Sequence, residues 1–115
     1  SRREMRKGEV WQVNINPVKG SEQAGIRPVV IVSGDLLNEY ASVVWVCPLT
    51  TKIKIYKGNV LLKPNKLNGL KKESEILNLH LRAISKDRLV VQVGEITKEQ
   101  LIQTRKGLQE IMEMD

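Results

Sequence analysis

The sequence predicts a mainly β protein with helices, built as a small, strongly bent barrel closed by a C-terminal helix. Three observations carry that reading. Short runs of alternating or continuously β-branched residues fill most of the chain, Gly- and Asn-containing turns separate them, and the last twenty or so residues change to a helical period. At 115 residues the chain buries roughly two-thirds of its surface on folding, enough for one core and too little for two. It therefore reads as one domain spanning 1–115. Ser1 is not an initiator residue, and residues 1–4 are expected to be a flexible or processed N-terminal remnant.

In order, Trp11, Val13 and Ile15 alternate with Gln12 and Asn14, the period of a half-buried strand. Residues 29–32 and 43–46 are continuous apolar runs, read as strands buried on both faces, with Trp11 and Trp45 in the core. Pro28 lacks an amide donor and belongs at the start or edge of its strand. Short strands are expected at 53–56 and 60–62. Leu77, Leu79 and Leu81 alternate with Asn78, His80 and Arg82, giving one apolar and one polar face, and 89–93 forms a further strand. Loops are expected at 16–26, at 33–41 and at 64–72, the last with an Asn68-Gly69 turn. Thr97 and Gln100 form a capping box, and Ile96 and Leu101 occupy the positions of a hydrophobic staple. A helix from 98 to about 113 follows, with Leu101, Leu108, Ile111 and Met112 on one face. Gly107 is its weak spot, worth ~1 kcal/mol.

Composition narrows the function. No apolar run reaches the ~18 residues of a membrane span, so no membrane partner is expected. One Cys (Cys47) excludes an internal disulfide and makes a reducing cytoplasm the default. With His80 the only histidine, soft metal ligands are too few, the thirteen acids are scattered, and no cofactor or phosphate-loop motif is present. No metal and no cofactor are therefore expected. The formal net charge is +6, with Lys and Arg clustered at 2–7, 52–57 and 63–72. Such clustering fits a polyanion partner, and fits ordinary solubilising lysines equally well.

The informative stretch is the polar loop from Asn16 to Ile26, which leads into Arg27-Pro28 at the mouth of an apolar strand. The residue before proline is biased to extended backbone, so Arg27 is held more rigidly than a surface arginine. A rigid guanidinium suits a phosphate and the charge that develops when its ester is cut. A structural ion pair between Arg27 and Glu22 is the competing reading.

The blocks Gly8-Glu9-Val10-Trp11, Gly20-Ser21-Glu22-Gln23-Ala24-Gly25-Ile26-Arg27-Pro28-Val29-Val30 and Val46-Cys47-Pro48-Leu49-Thr50-Thr51 resemble the MazF/PemK (Kid) toxin family. The blocks at 81–89 and 93–101 resemble its second half, in family order. The resemblance implies a CcdB/MazF-type barrel related to SH3-like folds, a two-fold homodimer, and metal-independent, sequence-specific endoribonuclease activity on single-stranded RNA in the cytoplasm. It also implies a toxin–antitoxin module, with a cognate antitoxin whose C-terminal segment blocks the RNA groove. Position by position, Arg27 and Thr50 match the family's catalytic pair, Glu22 matches the loop Glu linked to activity, and Thr51 neighbours the site.

These residue types fit the chemistry. The 2′-hydroxyl of RNA attacks its own phosphodiester if it is aligned and if the oxyanions are stabilised. Arg27 is assigned to the phosphate, with the leaving-group proton as a further candidate role, Thr50 to a hydrogen bond on a non-bridging oxygen, and Glu22 to orienting or accepting the 2′-hydroxyl proton, since arginine hardly deprotonates. RNA contacts are expected at Lys19, Ser21 and Gln23, at Thr51, Lys52 and Lys54, and at Asn78, His80 and Arg82. The 63–72 loop reads either as a phosphate track or as a solvated turn.

The chain departs from the family in carrying Leu79-His80 where many members have Glu-Gln, Glu73-Ser74-Glu75 where they have Asp-Ser-Val, and Asn59 in place of a His. Leu79 is expected to pack. His80 is either a base-stacking or proton-transfer group or an exposed bystander. Two other functions compete: a CcdB-like poison of DNA gyrase, against which the Met112-Glu113-Met114-Asp115 terminus counts, and a module that binds RNA without cutting it.

Overall fold

A computed structural model describes residues 4–15 and 25–114. The elements run β1 (Glu9–Ile15), β2 (Gly25–Ile31), α1 (Asp35–Tyr40), β3 (Val43–Thr50), β4 (Leu61–Leu62), β5 (Ser74–Ile76), β6 (Arg82–Ser85), β7 (Leu89–Glu95) and α2 (Lys98–Met112). Short 3₁₀ turns lie at Asn78–His80 and Lys86–Arg88.

The strands pair antiparallel in one curled seven-stranded sheet of order β4-β5-β3-β2-β1-β7. β3 is shared. One edge takes β2, while the other takes β6 along 43–46 and β5 at Leu49 and Thr50. Alternation sorts the apolar side chains into two clusters. Val10, Val30, Cys47 and Leu49 meet Leu62, Ile76, Leu101 and Leu108 beneath α2. Trp11, Val13, Val29, Ile31, Val44 and Val46 meet Ile84 and Leu89 on the other face. Both sides of β2 are thereby buried, as the unbroken 29–32 run predicts. The register irregularities of β1 against β7, at Val10/Trp11 and Gln12/Val13, add the local bend that curls the sheet into a half-barrel.

The two ends of the strand order meet through a turn. Asn65 and Asn68 exchange backbone-to-side-chain hydrogen bonds of 3.1 and 2.7 Å, the predicted Asn-Gly turn. The Glu95 amide, on β7, donates to the Leu67 carbonyl at 2.9 Å. The contact is close enough that a Cβ on Gly94 would lie within 3.0 Å of the Leu67 and Asn68 backbone. α2 begins as its sequence predicts, with both halves of the capping box present and Ile96 and Leu101 buried. Gly107 proves to be a requirement for packing, because a side chain there would strike the Gly58 carbonyl and the Asn78 amide.

Several expectations are corrected. The 33–41 loop contains α1, where Asn38 is buried and bonds to the Ser33 hydroxyl and carbonyl. Trp45 is 47% exposed, because the cluster on its face of β3 starts only at Cys47. No strand forms at 53–56, where the amides are bonded elsewhere, and β5 appears where none was expected. The 77–81 alternation belongs to a 3₁₀ turn, which reverses its faces: Leu79 is 73% exposed and Asn78 only 3%. Met112, at the last turn of α2, lies beyond the core and is exposed.

Gly94→Ala should cost ~1–3 kcal/mol by forcing the turn away from β7. Urea unfolding measures it; an unchanged midpoint would mean that this contact does not hold the ends of the sheet together.

Candidate active site

The two central candidates, Arg27 and Thr50, stand near the ends of the paired strands β2 and β3. Their register pairs Ile31 with Val46, Val30 with Cys47 and Val29 with Pro48. Two residues beyond the last of these pairs on each strand stand Arg27 and Thr50, which alternation puts on the face that carries Val29 and Pro48. On its other side Arg27 faces buried Val13 of β1. The arginine stem therefore leaves the rim of the second apolar cluster, and its exposed end reaches solvent. Thr50 is half-buried at the end of β3. Its hydroxyl oxygen accepts the Lys52 amide at 3.1 Å, which leaves the hydroxyl hydrogen to donate outward.

The other candidates divide into three groups. Thr51, Lys52 and Lys54 are exposed on the segment that leaves Thr50, and place two further cations beside it. Arg82 is exposed on β6 opposite Val46, on the same face as Thr50 by alternation but about 13 Å away along β3. His80 is exposed in the 3₁₀ turn. Lys19, Ser21, Glu22 and Gln23, and with them the Arg27–Glu22 pairing, lie outside the described residues. Asn78 is corrected: it is buried, and its side-chain amide donates to the Gly58 and Thr104 carbonyls at 3.2 and 3.4 Å. Its role is to tie the 3₁₀ turn to α2, out of reach of a ligand.

Sequence reading missed Glu75. It pairs with Thr50 across β3 and β5, yet it has no exposure. One carboxylate oxygen accepts the amides of Lys54 and Ile55 at 2.9 and 3.1 Å; the other accepts the Tyr56 amide at 2.9 Å and the Asn59 side chain at 2.8 Å. Burial pushes the Glu75 pKa up, but these bonds outweigh it and hold the carboxyl below its ordinary value. The detectable signal was an acid set directly against the apolar Ile76-Leu77 pair.

Cys47 is buried, and burial pushes its thiol up to about 12, so it stays protonated. No group of three or more His, Cys, Asp or Glu residues converges to hold a metal ion among the described residues. The concavity of about 300 Å³ between the N-terminal segment and α1 includes neither Arg27 nor Thr50.

Comparison with known proteins places this geometry in context. Residues 6–112 match the family described as PemK-like, MazF-like toxin of type II toxin-antitoxin system. The chain is 36% identical over 110 residues to Endoribonuclease MazF9 of Mycobacterium tuberculosis, covering 90% of this chain and 92% of that one. It is 41% identical over 87 residues to Endoribonuclease MazF of Staphylococcus saprophyticus, covering 74% and 72%. Its fold superposes on the crystal structure of MazE-MazF from Deinococcus radiodurans with a TM-score of 0.82 at 27% identity, over 99% of this chain and 100% of that one.

Asn78→Ala should lower stability by ~1–3 kcal/mol in urea unfolding through loss of its hydrogen bonds. An unchanged midpoint would mean that these bonds do not tie the 3₁₀ turn to α2. Glu75 sets a pH dependence. Its folded pKa lies below the unfolded value, so its contribution is full above about pH 4.5 and is lost as pH falls through the lower folded value. Glu75→Gln should therefore lose less stability between pH 6 and pH 3 than the wild type in chemical unfolding. Parallel curves would show that the carboxylate is not held in its charged form.

Proposed function

The chain belongs to the family of PemK-like, MazF-like toxins of type II toxin–antitoxin systems and is an endoribonuclease; we propose that it cuts single-stranded RNA at a cationic site centred on Arg27 and Thr50. The 2′-hydroxyl attacks the adjacent phosphorus, the bond to the 5′-oxygen breaks to leave a 2′,3′-cyclic phosphate on one fragment, and the 5′-oxygen is proposed to take a proton from Arg27, itself reprotonated by solvent, as a 5′-hydroxyl end. The proposed protein contribution is alignment and charge. Arg27 grips the phosphate and its developing charge, and Thr50 donates to a non-bridging oxygen. Glu22 is proposed to take the 2′-hydroxyl proton.

The observation that supports this reading is the β2–β3 pairing through Val29 and Pro48, since Arg27 and Thr50 each follow two residues on and share that face by alternation. The Lys52 amide bond to the Thr50 oxygen supports the direction of the hydroxyl hydrogen. Lys52, Lys54, Thr51 and Arg82 are proposed to bind phosphates and bases, with His80 as an accessory contact and Lys19, Ser21 and Gln23 contributing from the first loop. Sequence-specific cleavage would come from unstacked bases held by these groups. A homodimer would double the +6 charge around the groove, and the MazE-MazF complex of a structural relative supports a cognate antitoxin whose C-terminal segment competes for it. The proposed setting is the cytoplasm; no helix of the described residues is long and apolar enough to cross a membrane.

The test is incubation with a mixed-sequence RNA in EDTA. Fragments with 5′-hydroxyl ends are expected; retention without cutting would favour a binding module, and indifference to RNA a gyrase-directed toxin. Arg27→Ala should slow cleavage by roughly 10²–10³-fold. A loss below about tenfold, with fold and RNA affinity intact, would remove Arg27 from the reaction.

A further inference from the structure

We propose that Glu75 is a positioning residue for RNA binding: its buried carboxylate holds the 53–59 loop in the shape that presents Lys54 and Tyr56 to the substrate. The proposal rests on the nuclease reading above and extends it to a residue that never touches RNA.

The loop has little else to define it. Ile53 is half-buried at the loop's start, but Ile55 is 70% exposed and Tyr56 54%, with Lys54 and Lys57 exposed too, so apolar packing does not set the path from 54 to 57. Three successive amides, those of Lys54, Ile55 and Tyr56, instead converge on one carboxylate, joined by the Asn59 side chain. Ile55 meanwhile adopts φ +56°, a left-handed conformation that a β-branched residue occupies only when its surroundings impose it. The bonds to Glu75 on either side of that residue are what impose it.

The anchor also sits beside the reacting groups. Glu75 pairs with Thr50 across β3 and β5, so the loop is fixed relative to the strand that ends in the Thr50 hydroxyl. A brace runs the other way. The Asn59 side-chain oxygen accepts the Asn78 amide at 3.3 Å, and the Asn78 side chain reaches the Gly58 and Thr104 carbonyls, joining the loop to α2. A lone buried carboxylate is costly, and four donors offset that cost only with the loop in this conformation. With the loop so held, the exposed Tyr56 ring is available to stack on an unpaired base, and Lys54 to meet a phosphate.

Glu75→Gln keeps the size of the side chain and turns donors towards donors. In the full chain, the KM for single-stranded RNA should rise about tenfold while kcat stays within about twofold, the signature of lost substrate binding. Hydrogen exchange of the Lys54, Ile55 and Tyr56 amides should quicken, with Val30 and Val46 in the central strands unchanged. An unchanged KM, or equal loosening of the central strands, would overturn the proposal. If this variant fails to fold, Asn59→Ala removes one of the four bonds and should raise KM about two- to threefold; no change in KM or loop exchange would overturn the proposal equally. Absence of RNA cleavage by the wild type would remove the nuclease reading together with this one, whereas wild-type cleavage with an unaltered Glu75→Gln ratio would remove this one alone.

Discussion

The antiparallel pairing of β2 with β3 is the constraint on which the rest of the molecule depends. A slip of one residue would turn Val29 and Ile31 out of the second cluster and swing Arg27 away from the face of Thr50. Each buried aliphatic side chain lost in that slip costs ~1.5–3 kcal/mol. The register on which the proposed chemistry rests is thus enforced by apolar residues that take no part in it. β3 passes the same order to its other edge, where β6 and β5 take successive halves of the strand and leave room between them for the 3₁₀ turn.

A second organising element is polar. Glu75 gathers the 53–59 loop, Asn59 links it to Asn78, and Asn78 links it to α2, where Gly107 makes room for the contact. The terminal helix therefore covers the first cluster with Leu101 and Leu108 and, through the same helix, steadies a loop at the opposite end of the active strand. One oxygen of this network, the buried Asn78 Oδ1, has no hydrogen-bond partner among the described residues.

What could be read from residues alone followed local physics. β1, β2 and the capped helix were legible because period-two alternation, an unbroken β-branched run and the Thr97–Gln100 box each depend on neighbours in sequence. Arg27 and Thr50 were singled out only through the resemblance of their blocks to a family; the β2–β3 pairs end at Val29 and Pro48, two residues short of each. The failures were tertiary. Leu77, Leu79 and Leu81 alternate as a strand would, but Asn78 finds buried carbonyls on Gly58 and Thr104, and this outweighs burial of Leu79. Ile53 to Tyr56 had strand-forming residues, yet their amides bond to a carboxylate some twenty positions away. Glu75 was visible as a departure from the Asp-Ser-Val pattern, but its partners could not be inferred from spacing.

Cys47 has a practical consequence for studying the loop. Its thiol is enclosed by the first cluster and stays protonated at neutral pH, so thiol-reactive dyes have no thiolate to attack in the native fold. A cysteine introduced at an exposed position such as Lys57 could then be labelled selectively without first replacing the native one. Fluorescence from that single probe would follow the loop's movements in real time as nucleotides arrive and depart.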